Sequence, residues 1–319
     1  MSLRVNCGPF VRGLMTLSML CMLLVLAACG SEDNKAEAKE GTIKITATIG
    51  MISDIVREIG GEHVEVTGLM GPGVDPHLYK ASQGDIRKLD QADIIFYNGL
   101  HLEGKMTDIL EKMGDKKTVV AVAGDIDKAK LHSGKDAGGT EFDPHIWFDV
   151  RLWMEASQKV VDTLKESDPE HADDYTSNGE AYLAQLKALD QEVRESISGI
   201  PEATRVLVTA HDAFGYFGKA YNIKVMGLQG ISTAAEYGSK DVSELRDYII
   251  DNKIKAVFVE SSIPSKSMEA IIAGALEKGY EVQIGGELYS DAIGAEGSEA
   301  DHYIGMIRHN TKIITEALK

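Results

Sequence analysis

DVRLWMEASQKVVDTLKESDPEHADDYTSNGEAYLAQLKALDQEVRESI, residues 149–197, decides the fold. The stretch has few strand formers and a single proline, Pro169. Apolar residues recur at helical spacing at Leu152, Ala156, Val160 and Leu164, and again at Tyr182, Leu186, Leu189 and Val193. Ser167-Asp168-Pro169 breaks the pattern into two helices, and Pro169 suits the first turn of the second. That second helix runs for roughly 25–30 residues.

The chain on either side reads differently. Before it, β-branched runs at residues 43–49, 64–69, 94–97 and 119–123 alternate with amphipathic stretches at 52–59, 83–91 and 102–113. After it, runs at 206–210, 224–228, 256–259 and 281–284 alternate with helical patterns at 213–221, 242–252, 266–278 and 302–318. Strands that alternate with helices build parallel sheets. The expected fold class is therefore α/β. It has two lobes, each with a mostly parallel four-stranded sheet flanked by helices, joined by one long rigid helix. Two lobes with a cleft between them form an outline that holds a ligand. The expected boundaries are residues 42–168 for the first lobe, 169–200 for the connecting helix and 201–319 for the second lobe.

The 319 residues carry 33 basic and 50 acidic side chains, for a formal charge of −17. Two domains of ordinary size fit this length. An apolar fraction of 44% excludes a multi-span membrane protein and a largely disordered chain. The acidic balance argues against nucleic acid, which needs a basic footprint.

Residues 1–28 read as an export signal. Arg4 and Arg12 supply the positive end, and Leu14–Ala28 is apolar and uncharged. Leu26-Ala27-Ala28-Cys29 resembles a bacterial lipobox, so Cys29 is the expected lipidation site. Residues 29–41 then form the lipidated Cys and a polar tether. The other cysteines, Cys7 and Cys21, leave with the signal, so no thiol remains for a disulfide or a Zn–Cys site. The expected address is extracytoplasmic, lipid-anchored to the bacterial cell membrane.

Nine histidines remain to be placed. His63, His171, His302 and His309 read as surface or lobe-contact residues. Three others stand apart. His77 follows the second strand in Asp75-Pro76-His77, and His145 follows the fourth in Asp143-Pro144-His145. Proline fixes its own φ and holds the preceding Asp extended, so both imidazoles sit on stiff backbone. His211 ends the first strand of the second series, and α/β folds place ligands at such strand ends. A fourth ligand is expected from the second lobe. Asp291 is the best candidate and Glu287 its local competitor. Three neutral imidazoles and a carboxylate suit Zn²⁺, and also Mn²⁺ if both oxygens bind. Affinity is expected to fall as pH drops through the histidine range, because protonated imidazole cannot ligate.

At these residues the chain resembles the zinc and manganese solute-binding lipoproteins of bacterial ABC transporters, the ZnuA/PsaA/TroA-like family. The resemblance covers nearly all of the mature chain. It rests on Asp75-Pro76-His77, Asn98-Gly99-Leu100-His101-Leu102-Glu103, Asp143-Pro144-His145-Ile146-Trp147, His211 through Phe217, Glu260-Ser261-Ser262-Ile263-Pro264 and Ser290-Asp291. It implies that the four metal positions are His77, His145, His211 and Asp291. It also implies one bound Zn²⁺ or Mn²⁺ at the lobe interface, an ABC permease as partner and no enzymatic activity. A monomer is expected. ZnuA-like members carry a long His-rich loop, whereas residues 125–141 here contain only His132. PsaA-like members have Glu where this chain has His211. The TroA-like subgroup, with three His and one Asp, matches best. A metal-dependent surface adhesin is one alternative. A zinc hydrolase is a weaker one, because the chain lacks His-Glu-x-x-His, Gly-x-Ser-x-Gly and a phosphate loop.

Overall fold

The computed structural model describes residues 41–134 and 141–319. The expected signal segment, Cys29 and the tether through residue 40 lie outside the described residues.

Strand β1 (Ile43–Ala47) leads into helix α1 (Gly50–Gly60), which packs an apolar face of Met51, Ile52, Ile55, Val56 and Ile59 into the core. Strand β2 (Val64–Gly68), helix α2 (Gln83–Gln91), strand β3 (Ile94–Tyr97), helix α3 (Thr107–Gly114) and strand β4 (Thr118–Ala121) complete the first series. All pairs are parallel, in the order β2-β1-β3-β4. Ser82 starts α2 with a capping box. Its hydroxyl accepts the Asp85 N–H, and the Asp85 carboxylate accepts the Ser82 N–H at 2.9 Å. At the other end of α2, the Lys117 ammonium donates to the carbonyls of Leu89, Asp90 and Ala92. Helix α3 starts five residues later than the pattern predicts. Gly99, Leu100 and His101 take three successive positive φ angles of 85°, 52° and 68°, and turn the chain left-handed where a helix cannot begin.

The decisive central segment forms α4 (Val150–Ser167), a short turn at Pro169–His171 and α5 (Ala172–Ser198), which has 27 residues. Asp149 caps α4 by accepting the Arg151 N–H. Asp173 and Asp174 in the first turn of α5 complement its dipole. The buried stripe of α5 is Tyr175, Tyr182, Leu186, Leu189, Val193 and Ile197. Gly179 lies in that stripe, where an added Cβ would come within 2.5 Å of Val161 on α4. The absent side chain lets the two helices meet closely.

The second series is β5 (Val206–His211), α6 (Gly215–Tyr221), β6 (Lys224–Gln229), α7 (Ser239–Asp251), β7 (Ala256–Glu260), α8 (Lys266–Glu277), β8 (Gln283–Leu288) and α9 (Tyr303–Leu318). The α/β class and the two lobes with their long helix are as expected. The second sheet differs in detail. It bonds as two parallel pairs, β5–β6 and β7–β8, rather than as one four-stranded ladder. At the C-terminal end of the β5/β7 seam, the His211 N–H is taken by the Glu260 side chain instead of a strand carbonyl. The β7–β8 register also slips between Val257 and Phe258.

Buried aromatic rings tie the two series together. Phe148 packs on Phe214 at 4.2 Å and Trp153 stacks on Tyr303 at 5.2 Å between ring centroids. Among the described residues, no helix is long and apolar enough to cross a membrane.

Candidate metal centre

The two Asp-Pro-His sequences fold alike. In each, the aspartate Oδ1 accepts the histidine N–H two residues on, at 2.9 Å. This is the side-chain turn that aspartate favours, reinforced by the rigid proline between them. The second oxygens and the rings then diverge. Asp143 Oδ1 also accepts the His145 Nδ1–H at 2.7 Å, which turns Nε2 inward. The other oxygen of Asp75 instead accepts the Thr233 hydroxyl at 2.7 Å.

His211 is the last residue of β5, and a single carboxylate fixes it twice. Glu260 accepts the backbone N–H at 2.9 Å and the Nδ1–H at 2.5 Å. Beneath it, Gly227 on β6 lets the strands approach, since a Cβ there would fall 2.4 Å from the Asp212 nitrogen. Asp291 follows β8, and its neighbour Ser290 is anchored by the Trp147 Nε1–H to its carbonyl at 2.9 Å.

These four side chains converge. His77 Nε2 lies 3.3 Å from His145 Nε2. Asp291 Oδ1 is 3.4 Å from His145 Nε2, and Oδ2 is 3.4 Å from His211 Nε2 and 3.9 Å from His77 Nε2. Bonds of about 2.0–2.1 Å from one ion to four donors give a tetrahedron with edges of about 3.3–3.4 Å. Three of these separations are of that size, with each Asp291 oxygen facing a different imidazole, and the four donors all lie within 4.8 Å of one another. All four residues are buried, and His211 Nε2 and both Asp291 oxygens have no hydrogen-bond partner. Buried polar atoms are rarely left unpaired, and this group could hold a metal ion. Among the described residues, no other group of three or more His, Cys, Asp or Glu side chains converges in this way.

Electrostatics divides the histidines. Burial pushes His77 down to about 3, with the neighbouring imidazoles of His145 and His211 adding to the effect against the pull of Asp291. Its ring is neutral at pH 7. Burial also opposes charge on His145, but the carboxylates of Asp143 and Asp291 outweigh it and hold the ring up to about 9. His211 is likewise held well above its ordinary value by Glu260 and Asp291, against the effect of burial. The two imidazolium rings keep the Asp291 carboxyl well below the usual range despite its burial. The carboxylates around them thus favour the charged form of both His145 and His211.

Glu287, the competitor for the fourth position, is exposed. His63 stacks on His171 at 3.9 Å and bonds Asp174, at the start of α5 and away from the site. His132 stacks on Tyr216 at 4.1 Å, and His302 and His309 bond Asp301 and the Glu287 carbonyl.

The sequence reading missed the supporting residues. Glu260 enters there only as part of a motif. A second buried acid, Glu103, accepts the Thr48 hydroxyl at 2.7 Å and the Asn98 N–H at 2.8 Å. Asn98 in turn donates through Nδ2 to the Pro144 carbonyl at 3.0 Å, which braces the turn that carries His145. The visible signal was position, since Glu260 ends β7 as His211 ends its neighbour β5. Replacing Glu260 with Gln removes the charge that orients and polarises His211. Outer partners of this kind change metal affinity by roughly 10–100-fold. Glu260→Gln is therefore expected to weaken binding by that factor in a competition titration while leaving the circular dichroism spectrum unchanged.

The chain is similar to known proteins in sequence and fold. The profile of the family described as "Zinc-uptake complex component A periplasmic" matches residues 45–317. The manganese-binding lipoprotein MntA of Bacillus subtilis is 50% identical over 308 residues, covering 97% of this chain and 99% of the relative. The zinc-binding protein TroA of Treponema pallidum is 46% identical over 291 residues, covering 91% and 92%. The solved structure of the periplasmic zinc-binding TroA from Treponema pallidum superposes with a TM-score of 0.85, covering 87% of this chain and 99% of that one. The chain thus belongs to the zinc-uptake complex component A family, solute-binding proteins of metal ABC transporters rather than enzymes.

Proposed function

We propose that this protein captures a single Zn²⁺ or Mn²⁺ ion between its lobes through His77, His145, His211 and Asp291, and delivers it to an ABC-type permease. The observation that carries the reading is the buried convergence of three imidazoles and a carboxylate with three donor atoms lacking any partner. His77 and His145 come from the first lobe, and His211 and Asp291 from the second. An ion bound to all four bridges the lobes and favours the closed form by its differential affinity for it. The permease reads the closed form and takes the ion.

The relatives named for manganese and for zinc support both ions as cargo. Both Asp291 oxygens lack partners, so a fifth bond is open to an ion that prefers more than four. The protein acts as a monomer with lobes at residues 42–168 and 201–319. Residues 1–28 are removed on export, and lipid on Cys29 holds the chain at the outer face of the cytoplasmic membrane. Stable anchoring takes more than one acyl chain.

The test is a titration of metal-stripped protein with Zn²⁺ and Mn²⁺, separately and in competition. One ion per chain is expected, with a rise in thermal midpoint. An ion at about 100 times its Kd stabilises the fold by roughly 2.7 kcal/mol. Retention of Mn²⁺ against modest Zn²⁺ marks a manganese importer, and full displacement puts zinc ahead. No stoichiometric binding of either ion contradicts the proposal.

A further inference from the structure

The four candidate ligands are sealed from solvent, so an ion reaches them only when some part of the cover moves. The contacts between the lobes are unequal. On the α9 side they are buried and multiple. Asp54 of α1 accepts the Tyr303 N–H at 2.9 Å, the Tyr303 hydroxyl donates to the Trp147 carbonyl at 2.7 Å, and the Trp147 indole holds Ser290. Tyr216 adds a hydroxyl bond to the Asp143 carbonyl at 2.9 Å. At the His77 edge, among the described residues, a side-chain bond crosses from the Thr233 hydroxyl to Asp75 Oδ2 at 2.7 Å, and it is only partly buried.

That bond completes a circuit. Asp212, the residue after His211, donates its N–H to the Gln229 carbonyl at 3.0 Å. The Gln229 amide donates to the carbonyls of Thr233 and Ala235, each at 2.6 Å, and curls the following loop back over the strand. Thr233 then holds Asp75, and Asp75 holds the backbone of His77. A chain of bonds therefore runs from Asp212, next to one candidate ligand of the second lobe, to the backbone of His77 in the first, and an ion joined to both rings would close it. The duplicated motif sharpens the point. The Asp143 carboxylate bonds His145 within its own turn, whereas Asp75 sends one carboxylate oxygen across the cleft.

We propose that Thr233 is a positioning residue whose hydroxyl clasps Asp75 across the cleft, and that residues 230–237 form the gate through which the ion leaves. This rests on the metal-capture reading above. The clasp donates to a carboxylate, and such bonds are stronger than neutral ones.

The test compares Thr233→Val, which keeps the branched shape and deletes the hydroxyl, with Thr233→Ser, which keeps it. The full chain in detergent is loaded with Co²⁺ or Zn²⁺, and release into excess chelator is timed. Thr233→Val is expected to release the ion about tenfold faster. Its Co²⁺ absorption spectrum should match that of the parent, showing an intact ligand set, and Thr233→Ser should restore the slow rate. Release from Thr233→Val within twofold of the parent, or equally fast release from both variants, overturns the clasp while leaving metal capture standing. A parent that binds neither ion overturns both.

Discussion

Asp291→Ala is expected to lower metal affinity at least a thousandfold, on the order of 4 kcal/mol or more. The change removes the only carboxylate among the four donors and with it both partnerless oxygens. It also removes the anion that lies 3.4 Å from each of two buried imidazoles and favours their charged form. Breaking a buried ion pair by deleting one partner costs about 3–5 kcal/mol when the other stays charged. His145 and His211 can shed their protons, so the loss of stability is expected at the lower end of that range at pH 7 and larger at pH 6. Asp291→Asn keeps the shape and one acceptor and should fall between parent and Ala. Affinity by competition and thermal midpoints of the metal-free proteins check both parts. An Ala variant within tenfold of the parent would remove Asp291 from the site.

Metal affinity should climb steeply with pH well above the ordinary histidine range. His145 is held up to about 9 in the folded protein against an ordinary value of 6.5, and His211 is raised in the same direction. A histidine raised on folding stabilises the metal-free protein fully below pH 6.5 and loses that contribution as pH rises through about 9. Bound metal needs both rings deprotonated, so each proton displaced steepens affinity by about tenfold per pH unit. With two protons displaced, affinity should rise on the order of 100-fold per unit from pH 6.5 toward 9. His77 is already neutral and contributes no proton. Calorimetry in buffers of different ionisation enthalpy should find about two protons released per ion at pH 7. Release near zero would mean that the rings are neutral in the metal-free protein. The sequence alone placed this transition in the ordinary histidine range. It moves upward because Asp143, Glu260 and Asp291 face these rings, and the Glu260 and Asp291 contacts join residues far apart in the sequence.

The fold was legible wherever a local pattern decided it. Strand β3 at Ile94–Tyr97 and helix α2 at Gln83–Gln91 stand where periodicity put them, and α5 has the length its apolar stripe implies. Local reading failed where distant groups decided. The start of α3 yields to a left-handed turn at Gly99–His101. Strand β8 begins two residues later than its pattern and runs to Leu288 through Gly285-Gly286, which have no side chains to mark a strand. The second sheet divides where a glutamate 49 residues from His211 takes a backbone donor. For the site, Asp-Pro-His and the end of β5 exposed the candidate donors, because rigid turns and strand ends are local features. Their second partners were hidden. Glu260, the Asn98–Glu103 brace and the Thr233–Asp75 bond are all products of tertiary folding.

The most direct test is a crystal structure of the protein soaked in Zn²⁺, with anomalous difference maps recorded on both sides of the zinc absorption edge. One strong peak is expected, about 2.0–2.1 Å from the Nε2 atoms of His77, His145 and His211 and about 2.0–2.2 Å from an oxygen of Asp291. A peak elsewhere, or none at these four residues with the protein saturated in metal, would contradict the account.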